Sequence, residues 1–265
     1  MIPKIIHYCW FGGNPKPELV QRCIESWKKY CPDYEIKEWN ESNFDLNYNT
    51  FVKEAYQKKK WAFVADVARL HALVTVGGIY MDTDVELIRS LDDFLEQKAF
   101  AGFGSMKAVE TGIMASEPQF PLFSELLKEY EGQHFIAEDG TLNTTANTIF
   151  TTNICLRSGL VQDNTYQVVQ GLAVYPAEYF SPKDWMTRKI NLTPNTAAIH
   201  HFDGSWLPEE TRYRLELKGK LCRFLPTSVA YAVSKVIAVT KYRGVKITLK
   251  KIVGRMEKNG DTGNG

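Results

Sequence analysis

The sequence predicts an α/β protein: a twisted mixed sheet flanked by helices, with a basic helical extension after residue 217. Three observations predict it. Apolar runs alternating at period two take turns with runs that repeat every three to four residues, the pattern of interleaved strands and helices. The acids of Asp82-Thr83-Asp84 follow directly on the β-prone run Ile79-Tyr80-Met81, and α/β sheets open their ligand crevices at strand ends. Residues 218 to 258 hold eleven Lys or Arg against one acid, Glu257, leaving 21 basic and 29 acidic groups in residues 1 to 217. The two parts therefore suit different partners.

In chain order, residues 2 to 11 read as a first strand closed by Gly12-Gly13, with Pro15 and Pro17 leading into a helix. No G-x-G-x-x-G follows, which excludes a dinucleotide fingerprint. His7 reads as a hydrogen-bonded core histidine. Glu18 to Tyr30 is helical, with Leu19, Val20, Cys23, Ile24 and Trp27 on one side. Tyr34 to Trp39 is a second strand, closed by the turn formers Asn40 to Asn43. Thr50 to Lys59 is a second helix whose lysines face solvent. After the acids, Val85 to Leu87 continues as strand and Leu91 to Leu95 forms a short helix. Phe100 to Phe103 and Gly112 to Ser116 are further strands, and Pro121 to Tyr130 is a helix. Residues 132 to 165 read as helix and loops. Val174 opens a strand that runs into a loop held by Pro176 and Pro182, and Ala197 to His201 is a last short strand.

The stretch from Trp61 to Leu87 organises the rest. An apolar helix carries Asp66 and Arg69 on one face at spacing i, i+3. An exposed ion pair would add little there, but the surrounding Ala, Val and Leu make this a poor place for ornamental charge. Gly77-Gly78 breaks the helix, and a buried strand then delivers Asp82 and Asp84. Two carboxylates so placed are hard ligands for Mg²⁺ or Mn²⁺. An ion held there suits a substrate with a diphosphate leaving group.

The pattern A-x-x-x-D-x-x-R-x-x-x-L-x-x-x-GG-I-Y-x-D-x-D, from Ala62 to Asp84, resembles the signature of glycosyltransferase family 32, and of the sugar-binding glycosyltransferases with DXD motifs generally. The resemblance spans roughly residues 2 to 206. It implies a GT-A-like fold, a divalent metal (Mn or Mg), a UDP- or GDP-linked nucleotide-sugar donor and retention of anomeric configuration. By the same resemblance Asp84 and Asp82 hold the metal, with Asp82 shared with the donor. Arg69 serves phosphate or sugar oxygens, and Asp66 accepts from sugar hydroxyls, so that Asp66, Arg69 and Asp82 form the catalytic set. Trp10 matches a tryptophan beside the nucleobase, where stacking holds a flat ring; a core aromatic is the alternative. Asn43 resembles a polar turn of glucose-transferring toxins that meets the nucleotide. Tyr175 to Pro182 matches a Y-P-x-x-Y-F-x-P segment, and His201-Phe202-Asp203-Gly204 a His-Phe-x-Gly segment whose histidine binds the metal. That match implies His201 as third ligand, with His200 the alternative, and Ser205-Trp206 as a lid over the donor. Where the family shows a polar amide near Thr111, this chain has Glu110-Thr111-Gly112. With no placed nucleophile in view, a front-face reaction is expected.

At 265 residues, 44% hydrophobic and 24% charged, the chain suits a soluble globular domain. It shows no long apolar leader and no run long enough to span a bilayer. Cys9, Cys23, Cys31, Cys155 and Cys222 are scattered, which favours reduced thiols and a cytoplasmic location. The expected organisation is a catalytic domain over 1–217, a basic amphipathic extension over 218–258 and a disordered tail over 259–265. In the extension Val229, Ala230, Val233, Val236 and Ile237 make one apolar stripe among lysines and arginines. This suits an anionic membrane surface, as a peripheral protein on the inner face of the cell membrane; a helical hairpin packed on the body is the alternative. Nucleic acid is not expected as a partner. The expected acceptor is a glycan or lipid-linked sugar in cell-surface polysaccharide synthesis. A metal-dependent phosphohydrolase and a non-catalytic, membrane-attached sugar-binding protein are the alternatives.

Overall fold

The computed structural model describes residues 1–104, 107–205 and 207–245. The chain forms two compact units, Met1–Lys183 with Ile190–Phe202, and Asp184–Lys189 with Asp203–Gly265. In the first, a seven-stranded mixed sheet runs in the order β2 (Glu35–Trp39), β1 (Ile5–Cys9), β3 (Gly78–Met81), β6 (Val109–Ser116), β5 (Ala99–Phe103), β8 (Leu172–Tyr175) and β7 (Gln167–Val169). β1 lies parallel to β2 and β3, and β5 parallel to β8, while β6 runs antiparallel to both of its neighbours. A separate two-stranded ribbon pairs β4 (Val85–Leu87) with β9 (Ala198–His200).

Side chains alternate across the sheet and feed two cores. On one face α1 (Glu18–Tyr30) inserts Cys23 and Trp27 among Ile6, Ile79 and Met81. On the other, α2 (Thr50–Gln57), α3 (Trp61–Thr75), α4 (Pro121–Lys128) and α5 (Asn147–Arg157) close over Tyr80, Ala101 and Met114. Trp27, Phe100 and Phe123 have no exposed surface, and each such side chain contributes roughly 2–3 kcal/mol through burial. His7 is the core histidine expected. Trp39 Nε1 donates to its Nδ1 at 3.1 Å, so its Nε2–H donates to Gly77 O at 2.7 Å. Burial lowers its pKa to about 4.

The structure departs from expectation in several places. β7 was not foreseen, because Gln167–Val169 is an edge strand of only three residues, too short to show an alternating pattern. The loop after Tyr175 begins with a single helical turn, α6 (Ala177–Phe180), entered by Pro176. Val85 to Leu87 is a strand, but it leaves the large sheet for the ribbon.

The second unit contains α7 (Glu209–Leu221) and α8 (Thr227–Arg243). Gly219 lies inside α7 without interrupting it. A Cβ there would lie 2.4 Å from Arg188 Cγ, so the glycine admits the passing segment 184–189 while the helix continues. Residue 217, the expected end of the catalytic domain, is therefore inside a helix. Lys218 is 2% exposed and lies 3.7 Å from Met186 Sδ, so one of the eleven basic groups is not on the surface. The expected stripe on α8 is divided: Ala230 is buried, while Val229, Val236 and Ile237 are exposed. Residues 246–258 of the extension and the tail 259–265 lie outside the described residues. No helix among the described residues is long and apolar enough to cross a membrane.

Candidate metal and sugar-nucleotide site

The site begins where β3 ends. Asp82 N donates to Gly112 O at 2.8 Å and Val85 N to Asp82 O at 2.9 Å, a tight turn that carries the chain from the sheet into the ribbon. In the ribbon Val85 pairs with His200, which brings a residue more than a hundred positions away to the acidic turn. One ligand atom each of Asp82, Asp84 and His200 lies within 4.8 Å of the others. His200 Nε2 is 3.4 Å from Asp84 Oδ1. The imidazole lies over Gly112, where a Cβ would come within 2.6 Å of its Cε1.

Asp66 and Arg69 reach the same place from α3. Both are buried, at 8% and 5% exposed. Arg69 Nη2 contacts Asp66 Oδ1 at 2.9 Å and Asp82 Oδ1 at 3.3 Å, and its Nη1 donates to Thr111 O at 2.7 Å. The guanidinium lies over the Tyr80 ring, whose hydroxyl donates to Asp82 Oδ1 at 2.9 Å. Arg69 thus directs its donors to the chain itself and fixes the orientation of Asp82. Thr111 Oγ1 donates to Asn147 Oδ1 at 2.6 Å, which brings a side-chain amide of α5 beside β6.

The field at the site is negative. Burial works against a proton on His200, but Asp84, Glu110 and Asp82 outweigh it and raise its pKa to about 9. Burial pushes Asp66 up to about 7 against the pull of Arg69, and it raises Glu110 as well. A place that holds a proton on a buried imidazole this firmly is a place for a cation. Two carboxylates and one imidazole fit Mn²⁺ or Mg²⁺ in type and number.

His201, expected as third ligand, is elsewhere. Its Nε2 meets Glu86 Oε2 at 2.7 Å, and burial lowers its pKa. Successive residues of a strand point to opposite faces, so the pairing of Val85 with His200 sends His201 to the far side of the ribbon. Trp10 is half-buried beside the α1-side core, and its Nε1 donates to Asn14 O at 2.7 Å. Near it a cavity of about 500 Å³ opens between Gly12-Gly13-Asn14, Glu41, Tyr56, Lys59 and Trp61. Asn43 serves its own turn, accepting from Asn40 N at 2.9 Å and donating to Glu38 O at 2.8 Å. Ser205 is exposed in the second unit, and Trp206 lies outside the described residues. Glu110, Tyr80 and Asn147 were not foreseen. An acid inside the apolar run from Val109 to Ala115 was the one signal that could have pointed to Glu110.

Residues 17–101 match the family described as glycosyltransferase sugar-binding region containing DXD motif. An uncharacterized glycosyltransferase, L373, of Acanthamoeba polyphaga mimivirus is 27% identical over 85% of this chain and 92% of its own length. The mannosyl phosphorylinositol ceramide synthase CSH1 of Saccharomyces cerevisiae is 32% identical over 48% of this chain, which spans 35% of the yeast protein. Among solved structures, the galactosyltransferase LgtC with donor and acceptor sugar analogs is similar at 14% identity over 83% of this chain and 96% of its own, with a TM-score of 0.40.

Proposed function

We propose, from the match of residues 17–101 to the sugar-binding region of DXD-containing glycosyltransferases, that this chain moves a sugar from a UDP- or GDP-linked donor to a glycan or lipid-linked acceptor, with a divalent ion and retention of configuration. The observation that carries the reading is the Asp82, Asp84 and His200 group, assembled from two distant segments in a negative field. These three residues would hold the ion, which when bound would offset charge on the departing diphosphate. Arg69 and Tyr80 orient Asp82, and Asp66 accepts from sugar hydroxyls. The Gly12 to Asn14 turn, with Trp10 and the cavity beside it, receives the nucleoside. In the front-face reaction the acceptor oxygen bonds to the anomeric carbon as the bond to the diphosphate breaks, and the acceptor proton passes to a diphosphate oxygen. A phosphohydrolase using two ions would require a second ligand group, and the described residues contain one such group. Incubation with a panel of nucleotide sugars and Mn²⁺ tests the reading. Donor hydrolysis to the nucleoside diphosphate is expected, and release of inorganic phosphate alone would overturn it.

The same proposal places the acceptor at the inner surface of the cell membrane, in the cytoplasm. Support comes from α8, where Val229, Val236 and Ile237 are exposed among Lys235, Lys241 and Arg243, and from Phe224, 86% exposed in the preceding turn. Each basic residue near an anionic surface contributes on the order of 1 kcal/mol. Full-length protein should sediment with anionic vesicles and be released by salt. Phe224→Asp with Val236→Asp should reduce sedimentation and spare donor hydrolysis; equal sedimentation with neutral vesicles would exclude the membrane reading.

A further inference from the structure

His200 has one ring nitrogen that the ligand cluster does not use. Nε2 faces Asp84, while Nδ1 is buried and has no hydrogen-bond partner among the described residues. The group it faces is Glu110, whose Oε2 lies 3.9 Å away. Three features of the sheet deliver that carboxylate. Glu110 stands on β6 two residues before Gly112, the glycine beneath the His200 ring. The β5–β6 pairing shifts register between Ala101 and Gly102, so that Gly102 comes opposite Glu110, and such irregularities re-aim side chains beside sites. Gly104 leaves room for the carboxylate, since a Cβ there would lie 2.1 Å from Oε1. The carboxylate side chain is only 18% exposed, so a half-buried acid and a buried imidazole nitrogen without a hydrogen-bond partner among the described residues face each other.

We propose that Glu110 is a positioning residue for the metal site: its carboxylate accepts the Nδ1–H of His200 and so presents the Nε2 lone pair to the ion held with Asp82 and Asp84. The inference rests on the reading of Asp82, Asp84 and His200 as ligands. A ligating imidazole normally donates its second nitrogen to a carboxylate or carbonyl, which sets the tautomer and raises the basicity of the ligating nitrogen. A movement of about 1 Å brings the 3.9 Å contact to hydrogen-bond length. Glu110 then acts through His200 and touches neither ion nor sugar.

The test is Mn²⁺ binding by the full chain without donor, read by calorimetry, with metal-free thermal midpoints confirming that each variant is folded. Glu110→Ala should weaken the Mn²⁺ Kd by about 10–100-fold. Glu110→Gln, whose amide oxygen still accepts, should weaken it by less than about 3-fold and keep most donor hydrolysis. In a His200→Ala background Glu110→Ala should add no further loss. Gly104→Ala retains the carboxylate but displaces it, and should reproduce the Glu110→Ala loss even if that variant fails to fold. Wild-type Kd in both Glu110→Ala and Gly104→Ala would overturn the proposal. So would a Glu110→Gln variant as weak as Glu110→Ala, which marks a direct ligand, or one that binds Mn²⁺ normally without hydrolysing donor, which marks a residue acting on sugar. Failure of the wild-type protein itself to bind Mn²⁺ would instead sink the ligand reading on which the proposal stands.

Discussion

The two faces of the β4–β9 ribbon each carry a histidine against a carboxylate, one residue apart, and they are different kinds of site. On one face His200 lies 3.4 Å from Asp84, with Glu110 behind it. On the other His201 lies only 2.7 Å from Glu86, with Arg22 Nε 3.7 Å from the same oxygen and Lys183 Nζ donating to His201 O at 2.6 Å. The shorter contact is the one outside the Asp82, Asp84 and His200 group. Three acids act on His200 and raise its pKa to about 9. Around His201, burial leads, Glu86 opposes it, and the Lys183 and Arg22 cations add to the lowering. The surrounding net charge separates the candidate cation site from the His201–Glu86 pair, and contact distance does not.

The largest expected effect breaks or keeps that distinction directly. Asp84→Asn should lower kcat/KM for donor hydrolysis by at least about 10²-fold, whereas Glu86→Gln should change it by less than about 10-fold; equal losses would erase the contrast. Metal removal comes next. Chelation should abolish turnover, and Mn²⁺ at 100 times its Kd should then stabilise wild-type protein and His201→Ala by roughly 2.7 kcal/mol but leave His200→Ala unmoved in a thermal-shift assay. A positive shift for His200→Ala equal to that of wild type would reverse the assignment of the two faces.

The buried acid beside the site gives a pH signature. Asp66 is raised from 3.8 to about 7 by burial. Between those values the folded protein keeps a proton that the unfolded chain has lost. Its contribution is therefore full below about pH 4 and declines as pH rises through about 7. Metal-free wild-type protein should lose on the order of 2–4 kcal/mol of stability to this group across that window, and Asp66→Asn should flatten the slope in chemical denaturation series at pH 5 and pH 8. Parallel slopes in the two proteins would show Asp66 to be ionised throughout. The smallest effect is that of His201→Ala, which should cost about 1 kcal/mol of stability through the lost Glu86 hydrogen bond, measured as a shift in urea midpoint.

Much of this was legible in the chain because it is local. Glu18 to Tyr30 shows its apolar side at helical spacing and forms a helix with those bounds. Asp82 and Asp84 declare themselves by following an apolar strand. The histidine pair does not, because His200 and His201 are the same residue type, one ending β9 and the other following it directly, and differ only in parity. Glu110 was hidden for a related reason: its partner is ninety residues away and one strand pairing removed. Asn43 reads as a ligand or as a turn former with equal ease, and the hydrogen bonds to Asn40 and Glu38 make it the latter.

The sequence by itself determined most of the elements and their order, β7 and α6 excepted, since periodicity, glycine breaks and apolar runs act over a few residues. It also marked the acidic turn at a strand end as the candidate chemical centre. Only the tertiary structure decided which histidine joins it, because a strand register is set by pairing with a distant partner, and a shift of one residue exchanges the two faces. It likewise decided that Arg69 turns inward to hold Asp82, since burial left the guanidinium no water to face and two carboxylates and a carbonyl within reach.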